Sequence, residues 1–251
     1  MALGSTDPQL VLKVTPPRIP RTVIERPRLS STRPEFTDKA VVVIQAAAGS
    51  GKTSLLAQWR KEALKSGAMV CWLTLDQHDS ESRLLHGLVA AVRVASGRPA
   101  FVQGCTRAAA SRESPFEGLT EWLAEVSDLA VETVLILDDA HALPESTLVS
   151  SLPYLLLNAP ANLRIVIASR KPLTLPISEL PARGHFTELT SGELRFDLAE
   201  TVALLQARFG SRIDLDSCVR LHDLTEGWPL GVQLAVATVE RSQDLREAIA
   251  G

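Results

Sequence analysis

The stretch "VVVIQAAAGSGKTSLLAQW" (Val41–Trp59) decides how the rest of the chain is read. Val41–Ile44 are four consecutive aliphatic residues. That pattern fits a strand buried on both faces, not one with a wet side. The chain then turns small through Ala46–Gly51 and becomes helix-forming from about Ser50 to Lys65. Gly49 and Gly51 let backbone N–H groups turn inward, and the following helix aims its positive end at the same point. Such a bend, with Lys52 and Thr53 beside it, is suited to holding an anion. The spacing Ala46-x-x-x-x-Gly51-Lys52-Thr53 is the Walker A pattern with alanine in the first glycine position. It predicts phosphate contacts from Ala48, Gly49, Ser50, Gly51, Lys52, Thr53 and Ser54. Lys52 is expected to reach the β- and γ-phosphates, and the Thr53 hydroxyl to hold Mg²⁺.

A second apolar run, "VLILDDAH" (Val134–His141), ends in two carboxylates. Ligands of open α/β sheets gather beyond the carboxyl ends of the strands. Asp138 is therefore expected to support Mg²⁺ through a water, and Asp139 to polarise the attacking water as the base. Two adjacent carboxylates need a cation near them, because like charges repel. His141 reads as a γ-phosphate sensor, as an orienter of Asp139, or as an ordinary loop histidine. A third run, "LRIVIASR" (Leu163–Arg170), puts Arg170 at a strand tip. There it either reads the γ-phosphate or lies on the surface.

Strands and helices alternate outward from these runs. Met69–Leu75 and Phe186–Leu189 read as further strands; Ser82–Ala95 and Pro115–Leu129 read as helices. Residues 145–157 read as a helix interrupted at Pro153. Buried strands separated by helices imply an α/β fold with a mainly parallel sheet covered on both faces. Beyond Ser191 the strands stop. Asp197 and Glu200 form a capping box, Gly210 is a stop signal, and Asp216–Thr225 reads as a helix closed by Gly227. Pro229 suits the first turn of a last helix. Trp228 reads as core packing. Three parts are expected: an extended Pro-rich segment over 1–37, a nucleotide-binding domain over 38–191 and a helical subdomain over 192–251. The last ends without a polar tail and reads as cut from a longer chain.

Composition narrows the function. A chain of 251 residues with 45% apolar and 22% charged residues has the make-up of a soluble globular protein. The net charge of −3 gives no global pull toward nucleic acid. The basic stretch Lys13–Arg33 reads as a solvated arm that faces the nucleotide in part. Three widely spaced cysteines, Cys71, Cys105 and Cys218, form neither a metal motif nor a disulfide framework, which fits a reducing cytoplasm. No run approaches the ~20 apolar residues that cross a bilayer, so no membrane partner is expected.

Together these stretches resemble the ATPase module of the STAND class of signal-transduction ATPases, and most of all that of MalT-like large LuxR-type transcription activators. "KVTPPRIPRTVIERPRL" (Lys13–Leu29) resembles the family's opening segment. "AAAGSGKTSLLAQW" (Ala46–Trp59) resembles its Walker A, "LILDDAHAL" (Leu135–Leu143) its Walker B and "IVIASRKPLTLP" (Ile165–Pro176) its sensor strand. "CWLTLDQHDSESRLLHGLVAAV" (Cys71–Val92) resembles its second strand and following helix. "ELRFDLAETVALL" (Glu193–Leu205) and "LTEGWPLGVQLAV" (Leu224–Val236) resemble its helical subdomain with the Gly-x-Pro motif.

The resemblance implies a P-loop NTPase with a five-stranded parallel sheet, the sensor strand lying between the Walker strands. It implies ATP or ADP with Mg²⁺ as ligands, and Val23, Ile24, Arg26 and Pro229 around the adenine. It also implies a switch: ADP keeps the molecule closed and monomeric, ATP with an inducer opens it to self-association, and slow hydrolysis resets it. The family's winged-helix, sensor and DNA-binding domains are not among these residues. This fragment alone is therefore not expected to bind DNA specifically, although the full-length protein is. Two rivals stand beside this reading: a motor-type or remodelling ATPase, and a nucleotide-binding scaffold that never hydrolyses.

Overall fold

The computed structural model describes residues 8–19, 23–99, 101 and 115–241. Five strands, β1 (Val41–Gln45), β2 (Met69–Thr74), β3 (Thr133–Asp138), β4 (Leu163–Ser169) and β5 (Phe186–Leu189), form one sheet in the order β2-β3-β4-β1-β5. Every pairing is parallel. The strand carrying Arg170 at its tip, β4, lies between β1 and β3, as the resemblance implied.

Alternation along the strands sends side chains to two separate cores. Val41 and Val43 join Leu73, Leu135 and Ile165 on one face. Helices α4 (Glu81–Ser96), α5 (Pro115–Ser127), α6 (Glu145–Val149) and α7 (Ser151–Leu157) run with that face; Leu84, Leu88, Leu119 and Leu152 belong to its core. Val42 and Ile44 join Trp72, Ile136 and Val166 on the other face, under Leu55, Leu56 and Trp59 of α3 (Lys52–Lys65). Strands buried on both sides explain why β1, β3 and β4 read as unbroken aliphatic runs. α3 starts directly after Gly51, two residues later than the sequence suggests.

Two expectations are corrected. The helical stretch over 145–157 breaks at Ser150 (φ −117°, ψ −76°), not at Pro153. Pro153 is the third residue of α7, and in a first turn its missing N–H leaves no bond unmade. The opening segment is not extended throughout. It carries α1 (Pro8–Lys13), a 3-10 turn at Pro27–Leu29 and α2 (Pro34–Thr37). Pro8, Pro27 and Pro34 each open a helical turn, where the fixed φ of proline is favourable. The segment does pack onto the rest: Leu29 and Phe36 are buried in the α3-side core.

The last five helices flank and follow β5. The short α8 (Glu179–Ala182) precedes β5, and α9 (Ser191–Leu194) follows it. α10 (Leu198–Phe209) starts on the expected Asp197–Glu200 capping box. α11 (Leu215–Thr225) and α12 (Pro229–Arg241) complete a helical unit with its own core of Leu205, Phe209, Cys218, Leu221 and Val236. Between α11 and α12 the chain turns left-handed at Glu226 and Gly227. Gly227 is required there, because a Cβ would lie 2.2 Å from the Phe196 carbonyl oxygen. Cys71 and Cys218 are buried free thiols, and Cys105 lies outside the described residues. Among the described residues no helix is long and apolar enough to cross a membrane.

Candidate nucleotide site

The carboxyl ends of β1, β3 and β4 bring Lys52, Thr53, Asp138, Asp139 and Arg170 to one place. The Thr53 hydroxyl donates to Asp138 Oδ2 at 3.1 Å, although 85 residues separate them. The other oxygen of Asp138 accepts the Asp139 N–H at 2.9 Å. Asp138 ends β3; it does not follow it. Lys52 is buried, and its ammonium donates to the carbonyls of Ala46 (2.6 Å) and Ala47 (2.9 Å). Burial lowers its pKa, Arg170 adds to that, and Asp138 and Asp139 oppose it.

Asp139 sits in the left-handed region at φ 58°, which turns its carboxylate beside two basic side chains. Arg170 Nε is 3.3 Å from Asp139 Oδ1, and His141 Nδ1 is 3.7 Å from the same oxygen. Arg170 is half exposed, yet it is paired with Asp139, so it is not a free surface cation. Burial holds the His141 pKa down. Its Nδ1 is buried without a hydrogen-bond partner, an orphaned polar atom within the charge cluster.

The phosphate bend is not held by its own sequence alone. Gly49 is left-handed at φ 78°, and its carbonyl accepts the Leu230 N–H at 3.0 Å. A Cβ on Gly49 would meet Leu230 Cβ at 2.7 Å and Trp228 Cζ2 at 3.0 Å. The expectation that Trp228 is core packing is therefore corrected; it is 39% exposed and lies on the bend. The start of α12 acts as a wall of the phosphate hollow.

Val23, Ile24, Arg26 and Pro229, the four residues nominated by resemblance, line one small cavity with Gly51 and Ser54. The Arg26 side chain does not point freely into it. Its guanidinium donates to both Glu200 carboxylate oxygens (3.1 and 3.0 Å), to Leu194 O (3.0 Å) and to Arg195 O (2.7 Å), and it stacks on Phe196. The reading of Lys13–Arg33 as a solvated arm is corrected at Arg26, which is buried, and at Lys13, whose largely shielded side chain pairs with Asp79 and Asp76. In both cases carboxylates supply the compensation that burial of a cation requires. A larger hollow of about 630 Å³ lies elsewhere, between Leu64, Met69 and Val94.

Several supporting residues were not nominated from sequence. Gln58 grips the Arg26 backbone, accepting its N–H at 2.9 Å and donating to its carbonyl at 3.2 Å. Its position four residues after Ser54 puts it on the same helix face, a signal present in the sequence. Gln45 Oε1 accepts the Leu173 N–H at 2.9 Å and so fixes the turn that carries Arg170. In the sequence Glu200 reads only as a helix cap.

The donor set suits the ligands the motifs suggest. Mg²⁺ takes oxygen ligands and is commonly held by one or two protein groups plus phosphates. The Thr53 hydroxyl and Asp138 carboxylate are such groups, side by side. The buried ammonium among the bend's carbonyls and the inward-turned backbone suit polyanionic phosphate.

Residues 35–174, more than half of the chain, match the AAA domain family. The chain belongs to that family. As an AAA domain it is a P-loop NTPase module. It is 28% identical over 247 residues to the serine/threonine-protein kinase PknK of Mycobacterium tuberculosis, covering 98% of this chain and 22% of that protein. It is 29% identical over 228 residues to the HTH-type transcriptional regulator MalT of Vibrio cholerae, covering 88% and 24%. The chain thus spans less than a quarter of the length of either relative. Its fold is similar to that of Cdc6p from Pyrobaculum aerophilum, at a TM-score of 0.50 and 16% identity over 80% of this chain and 54% of that one.

The cluster has a pH signature. Burial, and secondarily Asp139, raise the Asp138 pKa; Thr53, the Asp139 backbone and Lys52 pull the other way. A carboxyl raised in the folded state stabilises the fold fully only below the unfolded value of about 3.9, and loses that contribution as pH rises through the folded value. Asp138→Asn is therefore expected to raise the nucleotide-free melting temperature at pH 7. The gain should vanish below the ordinary carboxylate range. Thermal scans of both proteins across pH check this.

Proposed function

We propose that this AAA domain is the nucleotide-dependent switch module of a MalT-like regulator. It binds ATP or ADP with Mg²⁺; ATP favours an open, self-associating state, and slow hydrolysis returns the closed one. The observation that carries this reading is the continuity of the site. A phosphate hollow built by Lys52, Thr53 and Asp138 adjoins a cavity whose walls come from the opening segment and the helical unit. A ligand spanning both contacts all three proposed parts of the chain: 1–37, 38–191 and 192–251. Such a ligand biases a conformational equilibrium through its different contacts in the two states.

In this reading Asp139 polarises the attacking water and Arg170 answers the γ-phosphate. The two are each other's partners at 3.3 Å. An arriving triphosphate offers Arg170 a second anion, and Asp139 is released toward water as Arg170 turns. His141, against the same carboxylate, orients it. The non-hydrolysing scaffold remains the second reading, because the Arg170 pairing occupies the base.

Two measurements test the proposal. With ATP–Mg²⁺ at about 100 times its Kd, one site should add about 2.7 kcal/mol and raise the melting temperature. No shift, together with no nucleotide released on denaturation, overturns nucleotide binding. Asp139→Asn should leave ATP affinity within a few-fold of wild type and lower turnover at least about 100-fold, the usual effect of losing a general base. Equal turnover by both proteins removes the hydrolytic part and leaves the scaffold.

A further inference from the structure

The cavity under the strap is narrow. Its free volume is about 30 Å³, whereas small-molecule sites usually measure roughly 300–1,000 Å³. Room of that size suits about one or two waters, not a purine. A base can enter only if two walls part: the strap Val23–Ser30, and Phe196, Leu204 and Pro229 of the helical unit.

The strap has two sides, fastened differently. Toward α3 the bonds are distributed. Gln58 holds the Arg26 backbone, Trp59 Nε1 donates to Leu29 O at 2.6 Å, and Glu62 accepts from Ser31 N–H and Oγ at 2.7 Å. Toward the helical unit they gather on the start of α10. Glu200 accepts from Arg26 through both oxygens and from Arg28 through Oε2 (3.0 Å), and Arg28 Nε also lies 3.3 Å from Asp197 Oδ2. The same two arginines reach the carbonyls of Glu193, Leu194 and Arg195. Arg26 and Glu200 are almost fully shielded, at 6% and 7% side-chain exposure. Apolar contact across this seam is small: Ile24 packs on Phe196, Leu204 and Val232.

We propose that Glu200 is a positioning residue of the nucleotide site. Acting through Arg26 and Arg28, it latches the strap to the helical unit and sets how fast a bound nucleoside diphosphate leaves. The phosphate hollow does not use Glu200. The latch therefore acts on the base and ribose end, and base-free polyphosphate is insensitive to it. A buried ionic contact of this kind tunes the dissociation rate more than the association rate.

This proposal takes the nucleotide site above as given, and its test separates the two. Dissociation of N-methylanthraniloyl-ADP is followed by stopped flow in wild type, Glu200→Gln and Arg28→Ala. Affinity for tripolyphosphate with Mg²⁺ is measured in parallel. The expected result is dissociation at least about tenfold faster for Glu200→Gln and smaller acceleration for Arg28→Ala, with tripolyphosphate affinity unchanged in both. Dissociation at the wild-type rate in both variants overturns the latch. Equal loss of tripolyphosphate affinity also overturns it, since the defect would then not be confined to the base end. If Glu200→Gln does not fold, the Arg28→Ala rate decides by the same criterion. Absence of any ADP binding by wild type defeats the proposed function itself, and the latch with it.

Discussion

ATP binding by Lys52→Ala is expected to be at least about 100-fold weaker than by wild type, with the fold retained. The Lys52 ammonium is held in the bend by the carbonyls of Ala46 and Ala47 at 2.6 and 2.9 Å. Phosphate oxygens would offer it charged acceptors, and hydrogen bonds to charged groups contribute about 1.5–3 kcal/mol each. Two such bonds correspond to at least a hundredfold in affinity. The nucleotide-free fold loses little. The desolvated cation that burial disfavours is gone. Titration calorimetry measures the loss. An affinity within threefold of wild type would remove Lys52 from the site and leave its burial without a purpose.

Gly49→Ala is expected to lower the melting temperature by about 5–15 °C, corresponding to about 2–4 kcal/mol for a chain of this size. Two costs combine. The residue is left-handed at φ 78°, which disfavours any Cβ. The Cβ would also sit 2.7 Å from Leu230 Cβ and 2.8 Å from Leu230 Cδ2. Relief requires α12 to lift from the bend, breaking the Leu230 N–H to Gly49 O bond. Trp228 reports that movement directly. Trp59, Trp72 and Trp122 are fully buried, so added quenching by acrylamide should come from Trp228. ATP affinity should fall in the same variant, because the bend loses its support. A melting temperature within 2 °C of wild type and unchanged quenching would show that the helical unit does not brace the phosphate bend.

The two variants probe different levels of legibility. Lys52 was readable because its role is local: a strand, a bend and a helix start within about twelve residues of each other. Asp138 and Arg170 were readable for a related reason. Each ends an apolar run, and in a parallel sheet all such ends face the same side. Prolines misled both in the opening segment and in the 145–157 stretch for one reason: they open helical turns as readily as they prevent helices. Pro8, Pro27, Pro34 and Pro153 all lie in first turns. Trp228 misled because burial depends on what lies opposite, and opposite it is a loop residue 179 positions earlier in the chain.

By itself the sequence determined the five strands, the helices flanking them and the residue types gathered at the bend after β1. Those follow from hydrophobic period, capping residues and glycine placement, all interactions between near neighbours. Only the tertiary structure decided that Arg170 is paired with Asp139, that Arg26 of the strap meets Glu200 of the helical unit, and that α12 leans on Gly49. Each is a contact between residues at least 31 positions apart. Charge type is legible locally, but the partner a charge finds depends on which surfaces the sheet order and the helical unit bring together.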